Sequence, residues 1–271
     1  MAFIGSVRRR TDEEIMSLVT GKHSLQKVHE LIATRLPAKS IRIYEAGGGS
    51  ASCVPADLLS NADVTVVDID DVQLQKNKYA NTKILGDIQT RAFPTGSFDL
   101  IVCFNVIEHL SAPDDAIRRF YEALASGGLL FIAAPNPESF SGRITRMTPH
   151  WFHVQYYRFV LGYKTAGKPG SVPYPTVFHA VVSPSVLLDF CRKLGFNQLY
   201  FCAYKGMIYE NMAQRRPMLG KLLNIAVQAA NALVLWRKDL RNGDYHLVLE
   251  KPRVVGKSGP PQRKSNGRQR S

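Results

Sequence analysis

Three carboxylates stand where short apolar runs give out: Glu45 closes IRIYE, Asp68 closes VTVVD, and Asp87 sits in ILGDIQT. Directly behind the first come Gly47, Gly48 and Gly49. Glycine at such a place removes the Cβ atoms that would hold a ligand away from the backbone. The dinucleotide pattern GxGxxG fails, because Ser52 occupies the place of its last glycine. A carboxylate beside the turn also suits an amino-bearing or cationic ligand better than a pyrophosphate. Asp68 follows Glu45 by 23 residues, where an acid in an open α/β fold accepts from a ribose diol. Asp87 stands to accept from an exocyclic amine. An adenosine carrying an amino acid would use all three acids; a glycine turn kept only for tight packing is the alternative from the first stretch by itself.

Such acids must be positioned by strand ends. Over the first 135 residues, apolar runs of strand length alternate with helical segments, the pattern of a parallel α/β sheet. The reading places helices near 12–36, 51–59, 72–78 and 113–125, and strands at 41–45, 64–68, 83–85, 98–104 and 129–134. Pro113 suits a first helical position. Residues 136–182 are aromatic, His- and Pro-containing and irregular, and are expected to cap the carboxyl edge of the sheet. Ser183–Pro184 then opens a helix to Leu194 that Gly195 ends, followed by strands at 196–204 and 245–250. The roughly 40 residues between those strands are too many for a hairpin.

At this point a resemblance becomes specific. Glu45-Ala46-Gly47-Gly48-Gly49-Ser50, TVVDID, GDIQTRAFPTGSFDLIVCFNVIEHL and LASGGLLFIAAPNP resemble, in order and spacing, the motifs of class I S-adenosylmethionine-dependent methyltransferases of the small-molecule kind, the type 11/12 methyltransferase domains. Ala51 departs from the pattern where a last glycine is expected. The resemblance implies a Rossmann-like seven-stranded sheet with helices on both faces, an aromatic cap and a helical insertion before the last strand. The composition and spacing place the domain at 1–252, with a cap at 136–182, an insertion at about 205–243, and a Gly-, Pro-, Ser- and Arg-rich basic tail at 253–271 that is expected to be disordered. The resemblance also implies S-adenosylmethionine as cofactor. Gly47 and Gly49 would line its methionine moiety and Glu45 would lie near its amino group. Asp68 would meet the ribose, Ile69 the adenine face, and Asp87 with Ile88 the adenine amino side. Asn105 would stand by the transferred methyl.

Methyl transfer from a sulfonium is an in-line displacement that, for an oxygen nucleophile, often needs a base. His109, His150, His153 and His179 are the candidates, with His179 and His153 ranked first for catalysis. No metal is expected. The four cysteines lack CxxC spacing and imply neither zinc nor disulfides.

Charge divides the chain. Residues 1–140 carry 14 Lys/Arg against 17 Asp/Glu, while 141–271 carry 21 against 5. Even 141–250 alone holds 14 basic against 5 acidic residues, a surface for phosphate, anionic lipid or nucleic acid. In RRPMLGKLLNIAVQAANALVLWRKDLR (215–241), Lys221, Asn224, Gln228 and Asn231 form one polar stripe in an apolar helix with basic flanks. That is the pattern of an anchor on an anionic membrane surface; a helix covering the protein's own core or a dimer contact are the alternatives. The expected acceptor is a small molecule, lipid or lipid-linked compound, methylated at oxygen. The alternative is RNA or protein, prompted by the basic half; the absence after the fourth strand of an Asn/Asp-Pro-Pro-aromatic tetrapeptide opposes it, and nucleic acid is not the expected partner. With no apolar run behind its first charges, the chain reads as cytoplasmic, with a peripheral position on the inner face of the membrane as its second setting.

Overall fold

A computed structural model describes residues 21–36, 40–168, 171–177, 179–206, 217–233, 240 and 242–253. The elements run α1 (Gly21–Arg35), β1 (Ile41–Ala46), α2 (Ala56–Ser60), β2 (Ala62–Asp68), α3 (Asp71–Lys76), β3 (Thr82–Leu85) and β4 (Phe98–Phe104). After these come α4 (Pro113–Ala123), β5 (Leu124–Pro135), α5 (Phe140–Met147), α6 (His150–Gln155), α7 (Pro184–Leu194), β6 (Asn197–Tyr204), α8 (Pro217–Leu233) and β7 (Asp244–Glu250). The strands form one seven-stranded sheet in the order β3-β2-β1-β4-β5-β7-β6. Among the described strands, β7 alone runs opposite to the other six.

Alternation along the strands builds a core on each face. In β5, Leu130, Ile132 and Ala134 pack on one side with Phe120 and Leu187 of α4 and α7. Leu129, Phe131 and Ala133 pack on the other with Val28 and Ile32 of α1 and Leu74 of α3. A parallel sheet covered on both faces buries both sets of side chains, so its strands read as continuous apolar runs. Successive strands leave β1 in one direction through β2 and β3 and in the other through β4 and β5. The crevice at this reversal is the ligand edge of such sheets. At the opposite end, Arg42 clamps Asp99 of β4 with Nε and Nη2 at 3.1 and 2.8 Å.

Several boundaries differ from the sequence reading. The helix expected at 51–59 begins only at Ala56, because the proline at position 55 keeps the residue before it out of the helical region. The strand expected at 129–134 starts at Leu124 and runs through Gly127–Gly128, so α4 ends at Ala123. Within the segment expected to be irregular lie α5, α6 and a π-turn at Tyr156–Val160. The helix of 184–194 ends as expected on Gly195 in the left-handed region, although Ser183 makes no side-chain cap. Residues 12–20 of the expected 12–36 helix, most of the 253–271 tail, and parts of 205–243 lie outside the described residues.

Both insertions leave the same end of the sheet. The Asn136 N–H donates to Gly243 O at 2.7 Å and Phe140 N–H to Leu240 O at 2.9 Å. The start of the cap is thus stitched to the return of the second insertion, beside the ligand edge.

Candidate functional site

The glycine turn is forced by its neighbours. Gly47 and Gly49 have φ of +71° and +51°, where an L side chain is strained. A Cβ at Gly47 would lie 2.6 Å from Val106 Cγ2, and one at Gly48 would lie 2.9 Å from Glu45 Oε2. The turn therefore presses backbone directly onto β1 and onto the segment after β4. A cavity of about 50 Å³ opens there, walled by Glu45, Gly47, Gly48, Ser52 and Phe104.

Each acid is held by groups of the chain itself. Glu45 is 2% exposed, and its two oxygens accept from the hydroxyls of Ser52 and Tyr79. Burial raises its pKa, opposed by those two hydrogen bonds. Asp68 accepts from Gly49 N–H at 2.9 Å and from Asp70 N–H at 2.8 Å, one on each oxygen. Asp87 accepts from Gln89 N–H at 2.8 Å, and the Gln89 amide lies 3.1 Å from both oxygens. Each carboxylate is thereby fixed in rotamer with lone pairs to spare.

The neighbouring residues divide. Ile69 is 76% exposed directly after Asp68, an apolar face open to a ring. Ile88 is 3% exposed inside the core; its side chain is spent on packing, and its backbone is the part that could reach a ligand. Asn105 is exposed at the end of β4 with φ of +55°, a conformation asparagine tolerates better than most residues.

The histidines are sorted by what their ring nitrogens face. His179 Nδ1 accepts from Val181 N–H at 3.3 Å as the cap of a short turn, which puts the proton of the neutral ring on Nε2. Thr148 Oγ1 lies 2.7 Å from both Ile144 O and His153 Nε2. A carbonyl only accepts, so the hydroxyl donates to Ile144 and receives the His153 Nε2 proton. In this arrangement His179 has no free lone pair, and a neutral His153 keeps one only at Nδ1. His109 differs. Its Nδ1 lies 2.7 Å from Pro175 O and must donate, leaving Nε2 basic. Burial lowers its pKa, opposed by the hydrogen bond to Pro175. That nitrogen lies 3.6 Å from Glu108 Oε1. Glu108 is 4% exposed, its Oε2 has no partner, and burial lifts its pKa to about 8.

Sequence reasoning missed Ser52 and Tyr79, which complete the Glu45 site, and the Pro175 carbonyl that orients His109. Tyr79 leaves one trace, an aromatic side chain in the otherwise polar run NKYANTK ahead of β3. Among the described residues, no group of His, Cys, Asp or Glu has the geometry of a metal site.

A profile described as "Methyltransferase domain" matches residues 45–132, the stretch that carries these acids and glycines. The chain carries a class I S-adenosylmethionine-dependent methyltransferase domain. S-adenosylmethionine is the cofactor of that family. Among curated relatives of this methyltransferase domain, a Mycobacterium tuberculosis protein named "Probable S-adenosylmethionine-dependent methyltransferase" is 31% identical over 136 residues, 48% of this chain and 47% of its own length. The ubiquinone biosynthesis O-methyltransferase of Xanthomonas euvesicatoria is 26% identical over 42% of this chain and 52% of its own. The chain thus matches about half the length of these relatives. The fold is shared with a solved S-adenosylmethionine-dependent methyltransferase of Methanosarcina mazei, with a TM-score of 0.50 at 14% identity over 83% of this chain and 98% of that one.

Proposed function

We propose that this methyltransferase domain transfers a methyl group to a hydroxyl of a small-molecule, lipid or lipid-linked acceptor. The observation that carries the reading is the edge built by β1, β2 and the turn after β3. Three pre-held carboxylates are set there around a glycine turn with no room for a Cβ at Gly47 or Gly48. The donor set of S-adenosylmethionine, an amino group, a ribose diol and an adenine amine, fits those acceptors in kind and number. When bound, the cofactor supplies an electrophilic methyl on a sulfonium.

The chain's own residues do the rest. Glu45, kept in place by Ser52 and Tyr79, would accept from the amino group, and the incoming cation would offset the burial that disfavours its ionised form. Gly47 and Gly49 would let the backbone close on the methionine portion. Asp68 would take the ribose hydroxyls, Ile69 the adenine face, and Asp87 the adenine amine. Asn105 would sit beside the methyl group. His109, its Nδ1 proton pinned by Pro175, would hold the lone pair that takes a proton from the acceptor hydroxyl; the likeness to the ubiquinone O-methyltransferase supports oxygen as the nucleophile.

A membrane setting is part of the proposal. On α8, Met218, Leu222 and Ile225 are exposed beside Lys221, while Val227 is fully buried and ties the helix down. Such an apolar face with basic neighbours suits an anionic bilayer surface. No helix among the described residues is long and apolar enough to cross a membrane.

The test is incubation of the protein with methyl-labelled S-adenosylmethionine and a lysate of the source cell. Label in the organic phase or in soluble small molecules is expected. Label confined to RNA or protein would overturn the acceptor class, and no label anywhere would overturn methyl transfer.

A further inference from the structure

A second cavity, in the cap, has no part in that reading. It encloses about 220 Å³ between α5, α6 and the 175–177 segment, and the argument turns on Arg146, His150, His153 and Thr176 in its wall. No acidic residue lines it among those described. His150 Nδ1 is fully buried and has no partner, an arrangement that a ligand supplying one would relieve. The His150 and His153 rings stand 6.3 Å apart, edge to face. Both polar contacts known for His153 are to acceptors, Thr148 Oγ1 and the backbone at Thr145, so the ring is set up to be a cation. Yet burial and His150 lower its pKa. The cavity thus assembles a guanidinium, two imidazoles and a threonine hydroxyl and contains nothing to balance them.

A small oxyanion would balance them. Its charge would restore the His153 cation, and its several acceptor oxygens would engage donors on different walls at once. The location connects it to chemistry. The Pro175 carbonyl that orients His109, at 2.7 Å, belongs to a residue that also lines the cavity. Val177, another lining residue, donates its N–H to Glu108 O at 3.0 Å. One short segment therefore separates the cavity from the candidate base.

We propose that this cavity binds a phosphoryl group of the acceptor, monoester or diester, while the hydroxyl to be methylated faces His109. The inference rests on the methyl-transfer reading for its role and on the cavity alone for its ligand. The excess of 14 basic over 5 acidic residues across 141–250 would draw such an acceptor in.

The test follows the imidazole nitrogens of the whole chain by NMR during titration with inorganic phosphate, with sodium acetate at matched ionic strength as control. Expected are saturable shifts of the His150 and His153 rings with phosphate, weak or absent with acetate, and an affinity about tenfold lower in Arg146→Gln and in His150→Gln. A second arm adds vesicles of phosphatidylglycerol in phosphatidylcholine. Response to soluble phosphate points to a soluble phosphate ester, and response to the vesicles alone points to a lipid headgroup. No response in either arm, an equal response to acetate, or full affinity in both variants would overturn the proposal. Calorimetry of S-adenosylmethionine binding on the same samples separates the two readings. Cofactor binding retained without phosphate binding removes this inference alone; loss of cofactor binding from the wild-type chain removes the methyl-transfer reading and leaves the phosphate site to stand by its own result.

Discussion

At the glycine edge every acid is answered from within the chain, Glu45 by two hydroxyls, Asp68 by two backbone N–H groups and Asp87 by Gln89. The cap and the turn after β4 do the reverse, leaving His150 Nδ1 and Glu108 Oε2 buried and unanswered. The first arrangement is preorganised: its acceptors are aimed before any ligand arrives, so little ordering cost remains at binding. The second is open-ended, because a buried polar atom without a partner is stabilised by whatever supplies one. The contrast suggests a division of labour in which the sheet edge fits one invariant ligand and the cap adapts to the acceptor.

The largest effect should come from breaking the preorganised side. Gly47→Ala forces a side chain into a positive-φ position 2.6 Å from Val106 Cγ2. A loss of about 2–4 kcal/mol of stability is expected, read from denaturant midpoints, with S-adenosylmethionine binding abolished. Adding Val106→Ala should return the part due to the clash and not the part due to φ. Full stability in the single variant would mean that the turn is not under the constraint described.

Glu108 sharpens the comparison through pH. Burial holds its proton in the folded chain up to about pH 8, whereas an ordinary glutamate gives it up near 4.5. The stability this contributes is complete below the unfolded value, declines as pH rises, and is gone once pH passes the folded value. Glu108→Gln should flatten the fall in unfolding midpoint between about pH 5 and about pH 8. A slope unchanged from the wild type would show that Glu108 is already ionised in the folded chain.

The smallest effect on stability is expected at Trp151, 65% exposed on the cap. Trp151→Ser should shift the unfolding midpoint by less than about 0.5 kcal/mol while weakening sedimentation with anionic vesicles. Unchanged sedimentation would restrict the membrane contact to α8.

These regions also differ in how readable they were. Glu45, Asp68 and the glycines could be placed from sequence because each stands at or just past the end of a strand, and strand ends in a parallel sheet converge on one edge. The register and the antiparallel β7 depend on pairing across long separations, as Tyr245 does in lying opposite Ala134, and no local pattern announces that. The histidines separate on contacts of the same long-range kind. What distinguishes His109 from His153 and His179 is a carbonyl 66 residues away in the chain, against a threonine and a backbone N–H close by. Ile88 reads as a neighbour of the ligand in sequence and is packed inward by the turn that follows β3.

The most direct test of the account is calorimetry of S-adenosylmethionine binding to the wild-type chain and to Asp68→Ala. One molecule bound per chain, with affinity reduced at least about tenfold in the variant, is the predicted result. Equal affinity in the two proteins, or no binding to the wild type, would contradict the claim that the held carboxylates of this edge are the cofactor site.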